Sequence, residues 1–172
     1  MSVLVNNVGV ASTGEGTFLK TPVNDILNML ACNVFPQTFM SYFMLPKLKN
    51  RGIRGLIINL ASVAALFPIP CGAVYSATKA YNNYLSKVLS YENTDIDIFS
   101  LRPGYTTTNM TKQLANYSTI TSDDCAESCL KYVSCWNDSE CHWLHRFNGW
   151  VMQNTPEFML NPIAAKSILE TL

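Results

Sequence analysis

The sequence predicts an α/β fold: a parallel sheet covered by helices. Three observations carry this. The run Gly55-Leu56-Ile57-Ile58-Asn59-Leu60-Ala61 is apolar almost throughout, as a strand buried on both faces of a parallel sheet requires. Two further strand-like runs stand before and after it, at about 3–7 and 96–101. Helical patterns separate the three.

The elements follow in order. Leu4-Val5-Asn6-Asn7-Val8-Gly9 is a short apolar strand running into a polar, glycine-bearing turn. A loop with Gly14 and Gly16 precedes a helix start at Thr21-Pro22, where threonine caps and proline fits the first turn. The helical pattern reaches about Lys49, with a kink expected at Pro36, and Arg51-Gly52 ends it. Its stretch 35–48 is the longest apolar one, but Pro36, Gln37, Pro46 and Lys47 interrupt it. It reads as a core helix covering the sheet, and no transmembrane segment is expected. A strand over 55–61 leads into a loop over 62–72, with prolines at 68 and 70. A helix is expected over 73–91 and an alternating strand over 96–101. Residues 104–120 read as a polar, threonine-rich loop. A helix over 122–134 begins with capping by Ser122 or Thr121. Residues 141–145 read as a last strand, followed by an aromatic C-terminal segment.

Composition narrows the function classes. Apolar residues make up 48% and charged residues only 14%, which suits a piece of a buried parallel sheet and a single domain over 1–172. Net charge is zero, so no nucleic-acid partner is expected. Met1-Ser2 leads straight into a strand, so no signal peptide is expected. Six cysteines are present, and Cys125, Cys129, Cys135 and Cys141 are spaced by four, six and six. That is not a paired Cys-x-x-Cys pattern, even with His142 and His145 nearby. Reduced, mostly buried thiols and no metal site are expected.

The chemistry concentrates on Tyr75 and Lys79, four residues apart and therefore on one helix face. A phenol titrates near pH ~10, too high for acid–base work at neutrality. A nearby cation favours the phenolate and lowers that value. Ser62 stands just past the C-terminal end of the buried strand, where open α/β sheets bind ligands. Asn33 lies on the helical segment before that strand, and Arg102-Pro103-Gly104-Tyr105, with Thr108 soon after, follows the next one.

Taken together, Asn6-Asn7-x-Gly9, Asn33, Ser62, Tyr75-x-x-x-Lys79 and Pro103-Gly104 resemble the short-chain dehydrogenase/reductase family, in its own order. The wording around Phe67-Pro68-Ile69-Pro70 and Tyr75 to Tyr81 is similar to the branch of 17β-hydroxysteroid dehydrogenases and very-long-chain 3-oxoacyl-CoA reductases. The resemblance runs from residue 3 to about 112, and more weakly to about 152. It implies the C-terminal part of a Rossmann-type doubly wound sheet in three αβα layers. The family's first strands and its Gly-x-x-x-Gly-x-Gly turn have no counterpart here, so 1–172 is expected to be the catalytic half of such a domain.

The resemblance further implies hydride transfer between NADP(H), favoured over NAD(H), and a carbonyl or hydroxyl of a lipid-like substrate. That substrate would be a 3-oxoacyl-CoA or a ketosteroid. It implies Tyr75 as the proton donor, Lys79 as the group that lowers the Tyr75 pKa and holds the nicotinamide ribose, and Ser62 as the group that binds the substrate oxygen. Asn33 would position a water joining Lys79 to solvent. Asn6 and Gly9 would flank the adenosine, and Pro103, Gly104 and Thr108 would border the nicotinamide. The location implied is the endoplasmic reticulum, with the cytoplasm as the alternative. The C-terminal Ile168 to Leu172 carries no dilysine retrieval pattern. A homodimer is compatible with the sequence. The alternative function is a truncated, inactive isoform or pseudoenzyme serving as a binding module.

Overall fold

Residues 3–12, 17–111, 119–133, 137–160 and 162 are described by the computed structural model. The expected Gly14 and Gly16 loop, Cys135 and the segment from Ile168 lie outside them.

Four parallel strands form one sheet in the order β1 (Val3–Asn6), β2 (Gly55–Leu60), β3 (Ile96–Leu101) and β4 (Asp138–Ser139). The helices are α1 (Val23–Asn33), α2 (Phe35–Lys49), α3 (Ala73–Glu92), α4 (Ser122–Tyr132) and α5 (Trp143–Asn154). The expectation of an α/β parallel sheet holds.

Side-chain alternation along each strand divides the core in two. On one face Leu4, Ile57, Ile96 and Ile98 pack with Leu48, Met44 and Leu45 of α2 and Leu89 of α3. On the other Ile58, Phe99 and Leu101 pack with Cys129 and Val133 at the end of α4 and with Cys141. Three layers result, but the second face is covered unevenly. Val3 and Val5 on β1 remain 44% and 52% exposed.

Three local expectations need correction. The long helix breaks at Val34 rather than kinking at Pro36, because Pro36 sits in the first turn of a new helix, where its missing N–H is harmless. That second helix, α2, covers the sheet on one side only. It buries Gln37, Ser41 and Leu48, and leaves Phe35, Phe39 and Phe43 more than half exposed. Finally, residues 141–145 are no strand. The last strand is the two-residue β4, and α5 starts at Trp143 with the His142 ring accepting from the Leu144 N–H at 3.3 Å.

Candidate active site

The C-terminal ends of β1, β2 and β3 converge on the N-terminal part of α3. Ser62 follows β2 and caps a 3-10 turn over Val63–Ala65, its Oγ accepting from Ala64 N at 3.1 Å. The same hydroxyl donates to the Pro103 carbonyl at 3.5 Å and lies near enough to the Tyr75 phenol to favour its ionised form. One residue thus both caps a turn and faces the phenol.

Lys79 is buried, and its Nζ donates to the Leu60 carbonyl at 3.1 Å. It stands 5.7 Å from the centre of the Tyr75 ring, as the four-residue spacing predicts. Burial brings its pKa down to about 8. The expected depression of the Tyr75 phenol is not what this arrangement produces. Burial pushes Tyr75 above its ordinary value; the Ser62 hydroxyl nearby only partly offsets this, and Tyr105 adds to it. Desolvation outweighs a cation whose hydrogen bond goes to Leu60.

Asn33, at the end of α1, is fully buried. Its Oδ1 accepts from Val10 N at 2.8 Å, and its Nδ2 donates to the Val10 carbonyl at 2.9 Å and to Thr78 Oγ1 at 3.0 Å. Thr78 in turn donates to the Tyr75 carbonyl at 2.7 Å. The amide thus ties the chain after β1 to the helix that bears Tyr75 and Lys79. Gly9 lies beside it. A Cβ at Gly9 would come 3.1 Å from Lys79 Nζ and 3.6 Å from Asn33 Oδ1, so a side chain there would crowd the ammonium.

The other sequence candidates sit differently. The Asn6 amide points under the sheet, donating to Asn59 Oδ1 at 2.7 Å and towards Ser41 Oγ at 3.4 Å. Asn59 continues to Ser86 on α3, so the Asn6 side chain belongs to a polar seam between sheet and helices. Pro103 anchors the turn after β3, its carbonyl accepting from Val63 N at 3.0 Å. Gly104 donates its N–H to His145 Nδ1 at 3.0 Å. Thr108 is exposed and bonds locally with Thr111. Sequence reasoning missed Thr78, the Leu60 carbonyl and His145. Thr78 lies inside the Tyr75–Lys79 turn, but nothing in the pattern marks its hydroxyl, and a backbone oxygen leaves no sequence trace.

No group of three His, Cys, Asp or Glu among the described residues is placed to hold a metal. Cys125, Cys129 and Cys141 are buried free thiols. A nicotinamide cofactor fits the donor set better: a buried ammonium beside a glycine floor, at the open ends of parallel strands, suits a ribose hydroxyl.

The family model for short chain dehydrogenases matches residues 1–118. The chain belongs to the short-chain dehydrogenase/reductase family. Among curated members, mouse 17-beta-hydroxysteroid dehydrogenase type 3 is 32% identical over 99% of this chain and 56% of its own length. Very-long-chain 3-oxoacyl-CoA reductase-B of Danio rerio is 32% identical over 94% of this chain and 53% of its own. The chain spans about half the length of these curated relatives. A short chain dehydrogenase from Burkholderia cenocepacia J2315, solved in complex with NADP, superposes with a TM-score of 0.78. That likeness covers 90% of this chain and 66% of the other at 19% identity, and shows the shared short-chain dehydrogenase fold. No helix among the described residues is long and apolar enough to cross a membrane.

Proposed function

We propose that this chain is the substrate-facing half of an oxidoreductase domain that interconverts a carbonyl and a hydroxyl on a lipid-like substrate, a 3-oxoacyl-CoA or a ketosteroid. The observation that carries the reading is the convergence of Ser62, Tyr75 and Lys79 at the ends of the parallel strands. Bound NADP(H), favoured over NAD(H) on the branch resemblance, would supply or accept the hydride. Lys79 would hold its ribose, with Gly9 leaving the room. Pro103 and Gly104 would border the nicotinamide; Asn6 and Thr108 would contribute chiefly through backbone.

The roles follow from proton inventory. Tyr75, with its pKa raised by burial, keeps its proton at neutral pH and can donate it to a substrate oxygen. The Ser62 hydroxyl, a fixed donor beside the phenol, binds the same oxygen and stabilises charge developing there. Lys79 carries positive charge below about pH 8 and sheds it above, so it can relay protons to the phenol. Asn33 holds α1 against the helix bearing both residues and could order a water beside Lys79. The apolar Ala64-Ala65-Leu66-Phe67 loop suits a greasy substrate. Membership in the branch supports an endoplasmic reticulum location.

A second reading is a non-catalytic binding module. It is favoured by β1, an outer strand whose Val3 and Val5 remain exposed and open to a further chain. Incubation of the purified chain with NADPH and either a long-chain 3-oxoacyl-CoA or a ketosteroid separates the two. Hydroxyl product detected by mass spectrometry supports the oxidoreductase, and a soluble, well-folded chain with no product supports the module.

A further inference from the structure

We infer that His145 is a positioning residue for the turn that borders the nicotinamide. The imidazole is 1% exposed and lies on α5, about forty residues beyond the turn it touches. Its two nitrogens clasp consecutive backbone groups. Gly104 N–H donates to Nδ1 at 3.0 Å, and Nε2 lies 3.0 Å from the Tyr105 carbonyl. An amide N–H can only donate and a carbonyl can only accept. The ring must therefore be neutral, with its proton on Nε2, and neither imidazolium nor the other tautomer satisfies both contacts.

The clasp is also steric. A Cβ at Gly104 would sit 2.7 Å from His145 Cδ2, so the ring lies directly against the glycine backbone. On the far side of the same turn the Pro103 carbonyl is held by Val63 N, one residue past Ser62. Tyr105 is near enough to raise the Tyr75 phenol. His145 thus fixes, from outside, a turn that Ser62 and Tyr75 face from inside. The inference rests on the proposed nicotinamide site, since positioning has a consequence only if something binds against the turn.

The test compares the wild-type chain with His145→Phe, which keeps a ring and removes both nitrogens, and His145→Gln, which can restore a donor and an acceptor. Each is titrated with NADPH and with 2′-phospho-ADP-ribose, which lacks the nicotinamide, while amide exchange is followed at Gly104. The expected result is faster exchange and about tenfold weaker NADPH binding in His145→Phe, the scale of lost neutral hydrogen bonds. Affinity for the nicotinamide-free ligand should not change, and His145→Gln should recover part of the loss. Equal weakening for both ligands would mean a merely structural residue. Unchanged NADPH binding, or unchanged exchange at Gly104, would overturn the inference alone. A wild-type chain that binds neither ligand would remove the nicotinamide site and this inference together.

Discussion

The Lys79 ammonium donates to the carbonyl of Leu60, the last residue of β2, at 3.1 Å, while the Tyr75 ring centre stands 5.7 Å away. The cation is thus anchored to the sheet and not to the phenol. Its burial, unpaired with a carboxylate in this contact, explains why its pKa falls to about 8.

That anchoring makes stability depend on pH. Lys79 binds fewer protons folded than unfolded between about 8 and its ordinary 10.5. Folding stability from this group therefore rises with pH across that window and is lowest below it. Lys79→Met should remove this slope and be more stable at neutral pH by on the order of 1–3 kcal/mol. Urea denaturation of both proteins at several pH values checks this; parallel wild-type and variant curves would contradict it.

On the proposed activity, the raised Tyr75 phenol would give the two reaction directions opposite pH behaviour. Carbonyl reduction needs the protonated phenol and should be flat through neutrality. Alcohol oxidation needs the phenolate and should climb with pH, without levelling off at neutrality. Tyr75→Phe should lower either rate by about 10²–10⁴-fold, and Ser62→Ala by about 10²–10³-fold. An oxidation rate already flat at pH 7 would show that the phenol is depressed after all.

Two glycines should respond differently to alanine. Gly52 has φ +68° with open space around its Cβ position, so Gly52→Ala meets only backbone strain of about 1 kcal/mol. Gly104 has ordinary backbone but no room, and Gly104→Ala must displace the buried His145 ring, costing about 1–3 kcal/mol. Only the second should also disturb residues of α5 in an NMR spectrum. Perturbation confined to the Gly104 turn would count against the clasp.

Arg102 is buried and bridges β3 to Asp138 and Glu140, with Lys87 also pairing Asp138. Burial alone would raise the Asp138 carboxyl, but Lys87 and Arg102 outweigh it and hold it below its ordinary range. The stability Asp138 contributes is present above its unfolded value and is lost as pH falls through the depressed folded one. Arg102→Met should destabilise by about 2–4 kcal/mol, since two carboxylates lose their buried partner. Denaturation at pH 7 measures this, and a neutral effect would mean the network is decorative.

Much of the architecture was legible in the sequence. β2 and β3 announce themselves because strands buried on both faces must be apolar throughout, and the Tyr75–Lys79 spacing alone places both on one helix face. β4 was illegible. Asp138 and Ser139 are polar and too short for a period, and they pair with β3 through backbone bonds and Arg102. Residues 141–145 misled because five residues of mixed aromatic and apolar type suit a strand or a helix start equally. The N-cap at His142 was the available sign. Exposure of Phe35, Phe39 and Phe43 could not be read either, since an aromatic stripe at helical spacing looks the same whether it faces a core or not. The Asn6 side chain escaped for a related reason: strand alternation sends it inward to Asn59.

The most direct test of the central claim follows the hydride itself. The chain is incubated with NADPH deuterated at the transferable position of the nicotinamide, together with a long-chain 3-oxoacyl-CoA, and the product is analysed by mass spectrometry. Ser62, Tyr75 and Lys79 acting as proposed predict one deuterium on the new hydroxyl-bearing carbon, with Tyr75→Phe giving almost none. Absence of labelled product from the folded wild-type chain, or equal labelling by Tyr75→Phe, would contradict the account.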